Sequence, residues 1–196
     1  IFIISYSYYE QQKYSDYVIY IPNFLSPKEF SEIKKLMEQD SRPFEINKNG
    51  LIKKTIIDKK INKIFYSLQN KETINQYTNN NVLESKVPIE YRIYQLHNGM
   101  NWHKDTLLYD YPQYECVYTI QNTSDSKTEY IDYNGEKHSV WTKPNSLMIV
   151  RANGYFHHVK PVTKGKREIL KLIYTPSKII NRENYHEYKN ALHGNT

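Results

Sequence analysis

At 196 residues the chain is long enough to enclose one sizeable core and short for two. Hydrophobic residues make up 39% and charged residues 24%, with 20 Tyr against 6 Gly, a balance that excludes disordered and fibrous classes. The lone cysteine, Cys116, excludes an internal disulfide framework and a cysteine zinc cluster, and favours a reducing, cytoplasmic or otherwise intracellular setting.

The apolar start, Ile1 to Ile4, is far too short for a signal peptide or a membrane span, so no membrane association is expected. A formal charge of +6 suits acidic partners such as nucleic acid or acidic polypeptides. The lysines are nevertheless spread along the chain and form no single basic block.

Along the chain, Tyr17 to Ile21 reads as a strand. In Ser26-Pro27-Lys28-Glu29, Ser caps, Pro suits the first helical position and Glu completes a capping box, so a helix begins there. Phe30, Ile33, Leu36 and Met37 give it an apolar stripe that ends near Asp40 and Pro43. A second amphipathic helix is predicted from about Ile56 to Tyr77, with Ile57, Ile61, Ile64, Phe65 and Leu68 on one side.

From Glu90 the pattern turns to short β-rich runs at 90–96, 115–121, 128–133, 138–141, 146–150, 155–162 and 167–174. That spacing predicts a sandwich or jelly roll. The segment after Pro176 is polar, with helix as an option. There is no internal repeat and no interdomain linker. The expectation is one domain over 1–196: helical support to about 88, a β core over about 89–176 and a tail over 177–196.

His103-Lys104-Asp105 places an imidazole and a carboxylate two residues apart, on one side of the chain if the segment is extended. Two His and one carboxylate on one face of an octahedron form the ligand set of non-haem iron(II) oxygenases, which leaves the other positions open. Taken alone, His-x-Asp is a cheap motif. More specific is the run from His157 to Arg167: a strand, a turn at Gly165 and a second strand opening on Arg. A planar guanidinium there is suited to catching a carboxylate with two charge-assisted hydrogen bonds. Strand alternation sends His157 and His158 to opposite sides and leaves the choice between them open.

Several blocks resemble the prolyl 4-hydroxylase-like branch of the 2-oxoglutarate- and Fe(II)-dependent oxygenases. They are Asn23-Phe24-Leu25-Ser26 opening a helix, then Tyr94, Gly99, His103 and Asp105, then Lys143-Pro144-Asn145-Ser146-Leu147. The most specific is His157-x-Val159-x-Pro161-Val162-x-x-Gly165-x-Arg167. The resemblance implies a mainly β fold with flanking helices, a double-stranded β-helix or jelly roll, carrying a dioxygenase. It assigns the catalytic metal, Fe(II), to His103, Asp105 and His157, and the oxoglutarate carboxylate to Arg167 with Tyr94. Tyr118 is a further candidate to enter the barrel and touch the cosubstrate. Trp102 either lines the substrate pocket or packs, whereas His97 and His138 read as surface or strand-packing residues.

Dioxygen is then the second cosubstrate, and ascorbate an optional cofactor. A prolyl or other peptidyl residue in a protein partner is the implied substrate. A nucleic-acid-modifying oxygenase is the second enzymatic option, although the extra spaced arginines expected after the distal His are missing. A non-catalytic jelly-roll binding module is the option from another class. The chain departs from the family pattern at Lys127-Thr128-Glu129-Tyr130, where a Gly-Gly-Glu-Leu type strand is usual. It also has Ile169 where Ser or Thr often supports the carboxylate.

Overall fold

Helix α1 (Pro27–Gln39) starts at the capping box: Ser26 N donates to Glu29 Oε2 at 3.0 Å and Glu29 N to Ser26 Oγ at 3.3 Å. Ile33 and Met37 are buried and Phe30 and Leu36 pack beside them, as the stripe requires. Full burial of each such side chain contributes about 1.5–3 kcal/mol relative to exposure. These features belong to a computed structural model that describes residues 18–46 and 51–194. The segment Ile1 to Ile4 and Tyr17 lie outside the described residues.

The single helix predicted over 56–77 is two. Helix α2 (Lys59–Phe65) is capped by Asp58, whose carboxylate accepts from Lys60 N, and helix α3 (Leu68–Thr78) by Ser67, whose hydroxyl accepts from Asn70 N. Ser67 offers its side chain as a local acceptor and restarts the helix at a new angle. Ile61 and Phe65 are buried as expected, but Ile57, which precedes α2, and Leu68, which opens α3, are exposed.

The strands are β1 (Val18–Ile21), β2 (Glu45–Ile46), β3 (Ile52–Thr55), β4 (Leu83–Glu84), β5 (Glu90–Tyr94) and β6 (Met100–His103). They continue as β7 (Tyr114–Asn122), β8 (Thr128–Ile131), β9 (Lys137–Val140), β10 (Ser146–Arg151), β11 (Phe156–Val159) and β12 (Arg167–Thr175). The larger sheet runs β1-β10-β7-β12-β5-β3-β2, with β4 against β12, and the smaller runs β6-β11-β8-β9. Every pairing in both is antiparallel. The N-terminal part therefore supplies strands to the larger sheet as well as helices.

Alternation on β7 sends Tyr114, Cys116, Tyr118 and Ile120 toward the helices, where they join Ile33, Phe65 and Leu170 in the main core. Cys116 is a small, free core residue. The other face of the larger sheet looks at the smaller one, and between them Tyr94, Val159, Val162 and Ile169 form a second apolar cluster. This is a jelly roll closed over a narrow interior. Helix α4 (Tyr185–Leu192) docks Tyr188 and Ala191 against Val87, Leu108 and Ile173, so the polar tail closes one end of that interior. Among the described residues no helix is long and apolar enough to cross a membrane.

Two glycines hold the interior's geometry. Gly165 has φ of +74°, and a Cβ there would lie 2.2 Å from the Thr123 carbonyl oxygen. At Gly99 a Cβ would sit 2.7 Å from the Val159 carbonyl oxygen. Both are places where backbone crosses backbone at a distance only glycine allows.

Candidate metal centre

β6 and β11 pair so that His103 lies directly opposite His157. Asp105 follows two residues after the end of β6, and its backbone carbonyl accepts from Asn153 N at 2.9 Å. The result is a close triad: His157 Nε2 is 3.4 Å from Asp105 Oδ2, and His103 Nε2 is 3.9 Å from Asp105 Oδ1. One ligand atom from each residue lies within 4.8 Å of the others. Ligands about 2.1 Å from one ion on adjacent octahedral positions are about 3 Å apart, so small side-chain adjustments bring the three onto a shared metal.

The rings are already turned for that task. His103 Nδ1 lies 2.7 Å from the Asn101 carbonyl oxygen, and His157 Nδ1 lies 3.1 Å from that of Tyr155. A carbonyl only accepts, so each Nδ1 carries the proton and each Nε2 presents its lone pair to the triad. Burial pushes the His157 pKa down against the opposing pull of Asp105, which favours the neutral imidazole that a metal needs.

His158 points the other way. Its Nε2 is 2.8 Å from Glu129 Oε2, and its ring stacks on Trp102 with centroids 4.0 Å apart. Trp102 thus packs on the outer face of the smaller sheet and does not line the interior. His97 is exposed with φ of +71°, and His138 is engaged with Asp132 at 2.8 Å. Asp132, Glu136 and His138 form a second close group of potential donors, but it lies at the hairpin between β8 and β9, away from the interior.

At the far end of the interior, Arg167 opens β12 and is 1% exposed. One Nη donates to Thr128 Oγ1 at 3.1 Å, while Nε is buried with no hydrogen-bond partner. Burial pulls its pKa down, so the site is costly for a guanidinium until an anion joins it. Tyr94 pairs with Arg167 in register, the guanidinium lies 5.9 Å from its ring centre, and its hydroxyl donates to Met100 Sδ at 3.1 Å. A small cavity of about 50 Å³ runs from Arg167 past Tyr94, Met100 and Ile169 to the triad.

Tyr118 is not part of this arrangement. It sits on the opposite face of β7, packed edge-on against Phe65 with centroids 5.0 Å apart, and donates to Asn145 Oδ1 at 2.9 Å. The expectation that it enters the barrel is corrected by strand alternation: Glu115 and Val117 face inward, and Tyr118 faces the helices.

A second, wider cavity of about 210 Å³ meets the first at Met100, His103 and Asp105, and Arg92, Glu115 and Lys171 line both. Its walls carry charged strand side chains that the residue pattern had not been taken to mark: Glu90 and Arg92 on β5, Glu115 on β7 and Lys171 on β12. They occupy alternate positions inside runs such as Glu90-Tyr91-Arg92 and Leu170-Lys171-Leu172. A charge recurring with strand period between core residues was the signal that pointed inward.

No family model matches the chain, and no curated protein matches it by sequence. Comparison with solved structures is decisive for the fold. An oxidoreductase of the 2OG-Fe(II) oxygenase family from Burkholderia pseudomallei superposes with a TM-score of 0.73 at 12% identity, over 90% of this chain and 92% of that one. The fold is that of the 2-oxoglutarate–iron(II) oxygenases.

A prolyl hydroxylase from Trichoplax adhaerens, in complex with a hypoxia inducible factor peptide fragment, is similar with a TM-score of 0.66 at 15% identity, over 85% and 86% of the two chains. The alpha ketoglutarate dependent carbocyclase SnoK from nogalamycin biosynthesis is similar with a TM-score of 0.67 at 9% identity, over 91% and 88%. This oxygenase fold carries the triad and Arg167 on the two facing sheets of its barrel.

Proposed function

We propose that the chain is an Fe(II)- and 2-oxoglutarate-dependent dioxygenase that hydroxylates a C–H bond. The observation that carries this reading is the pairing of two incomplete sites in one interior. One is a His103, Asp105 and His157 set with lone pairs converging. The other is a buried Arg167 whose Nε lacks a partner. A five-carbon diacid that chelates a metal at one end and offers a carboxylate at the other completes both.

Iron, when bound, supplies dioxygen activation. The net change is balanced: one oxygen atom of dioxygen enters the substrate C–H bond, and the other enters succinate as 2-oxoglutarate loses carbon dioxide. The chain's residues position the reactants. His103 and His157 present neutral Nε2 atoms fixed through their Nδ1 protons, Asp105 adds the charged ligand, and Arg167 with Tyr94 and Thr128 orients the cosubstrate. The apolar lining of Met100, Val159 and Ile169 limits water around it.

Two substrate readings have support. Likeness to a peptide-bound prolyl hydroxylase supports a prolyl or other peptidyl residue. Likeness to a carbocyclase from nogalamycin biosynthesis supports a small molecule, and the charged walls of the wider cavity favour that second reading.

The test is anaerobic Fe(II) loading with metal analysis, followed by succinate release in air without added substrate. Wild type is expected to hold about one iron per chain and release succinate slowly. His103→Ala, Asp105→Ala and His157→Ala are expected to lose both. Normal iron content and turnover in any one variant refutes that ligand, and a wild type that neither binds iron nor turns over favours the binding module.

A further inference from the structure

The proposed function gives the metal to His103, Asp105 and His157 and the oxoglutarate carboxylate to Arg167, and leaves without a role the charges of the wider cavity, of which Arg92, Glu115 and Lys171 also reach the narrow one. The cavity measures about 210 Å³, below the roughly 300 Å³ at which pockets begin to hold drug-sized ligands. Lys171 Nζ lies 3.3 Å from Glu115 Oε2 as an ion pair, and Glu115 has no second partner for that buried oxygen among the described residues. Its other oxygen accepts from Gln113 Nε2 at 3.0 Å. Lys171 has 20% of its side chain exposed, and among the described residues Glu115 is the carboxylate that pairs with it. A donor of up to three hydrogens and an acceptor with spare lone pairs thus stand side by side. Alongside them, Arg92 and Glu90 form a second pair, and Lys104 and Glu187 bring both signs of charge to the remaining wall.

Buried ion pairs add little stability over apolar pairs of the same volume. Two of them on a cavity wall that also carries candidate metal ligands point to recognition. We propose that this cavity takes a small zwitterion the size of a free α-amino acid, its carboxylate on Lys171 Nζ and its ammonium on the Glu115 carboxylate. The oxygenase reading supplies the reason for a C–H bond to face the triad, and the proposal rests on it to that extent. A neutral pyrrolidine ring or a capped peptide segment would cover both charges and pair neither.

The experiment uses the twenty free α-amino acids, their N-acetyl and amide derivatives, and a capped prolyl tripeptide. Binding is measured by calorimetry on protein loaded with Zn(II) and 2-oxoglutarate, and succinate release is measured in parallel on the iron-loaded protein. At least one free amino acid is expected to bind and to raise succinate release above the substrate-free rate. Blocking either end is expected to weaken binding at least tenfold. Lys171→Met is expected to erase the preference for a free carboxylate over its amide, and Lys171→Arg to restore it.

The wild-type panel decides the matter even where a variant does not fold. Equal binding of the doubly blocked forms or of the tripeptide overturns the proposal, as does absence of binding across the free amino acids. Loss of substrate-free succinate release in well-folded, iron-loaded protein overturns the oxygenase reading instead, and calorimetry still decides the zwitterion.

Discussion

Replacing Arg167 by Met separates a binding role from a structural one. In the protein by itself the guanidinium is fully buried, has one hydrogen bond to Thr128 and leaves Nε without a partner. Removing it relieves a desolvated charge, and an apolar residue of similar volume in such a position is neutral or stabilising. The melting temperature of cosubstrate-free Arg167→Met should therefore hold or rise. With 2-oxoglutarate the balance reverses, because truncating one partner of a buried, hydrogen-bonded charge pair costs about 2–5 kcal/mol. That is about 30-fold to about 4,000-fold in affinity. Calorimetric titration of 2-oxoglutarate into the Zn(II)-loaded variant and wild type reads the difference directly. A folded variant that binds 2-oxoglutarate as tightly as wild type refutes the assignment of Arg167. A variant that melts well below wild type refutes the account of its burial.

Gly165→Ala forces a Cβ against the Thr123 carbonyl at positive φ, a strain of about 1–3 kcal/mol that should lower the melting temperature by about 2–12 °C. A raised KM for 2-oxoglutarate is expected with it, because the turn sets where Arg167 begins. Tyr118→Phe deletes the hydrogen bond to Asn145 Oδ1, which still accepts from Leu25 N. A loss of about 0.5–1.5 kcal/mol in denaturant unfolding is expected, with unchanged KM for 2-oxoglutarate, and a shifted KM would return Tyr118 to the site. Arg42 and, more weakly, Lys54 hold the Asp40 carboxyl down at about 2 against an ordinary 3.8. A depressed folded value adds stability above the ordinary range and loses it as the carboxyl protonates on acidification. Wild type should lose stability between about pH 4 and pH 2, and Asp40→Asn should flatten that part of a urea-unfolding profile, with an effect muted by solvent screening.

Where the sequence was legible, one local rule decided the outcome. The capping box set the start of α1, and β-rich runs with turn residues between them located seven of the strands from Glu90 onward to within a few residues, while β6, with His103 at its end, was not among them. The run from His157 to Arg167 showed its hairpin because Gly165 is a residue whose backbone a side chain would not permit. Where reading failed, two rules competed. The apolar pattern ran unbroken across Tyr66 and Ser67, and the serine's capping of a new helix outweighed it.

At Tyr118 the aromatic character fitted either face of β7. The parity with Cys116 and Ile120, two small or apolar residues, would have placed it on the helix side. The same parity rule exposes the cavity charges. Glu115 lies one residue before Cys116, and Lys171 lies between Leu170 and Leu172, so each must point away from the apolar core. On a strand buried on both faces, that direction leads inward to the second side of the sheet. A charge forced there needs a partner or a ligand, and at Glu115 Oε2 the protein itself supplies one lysine, at 3.3 Å.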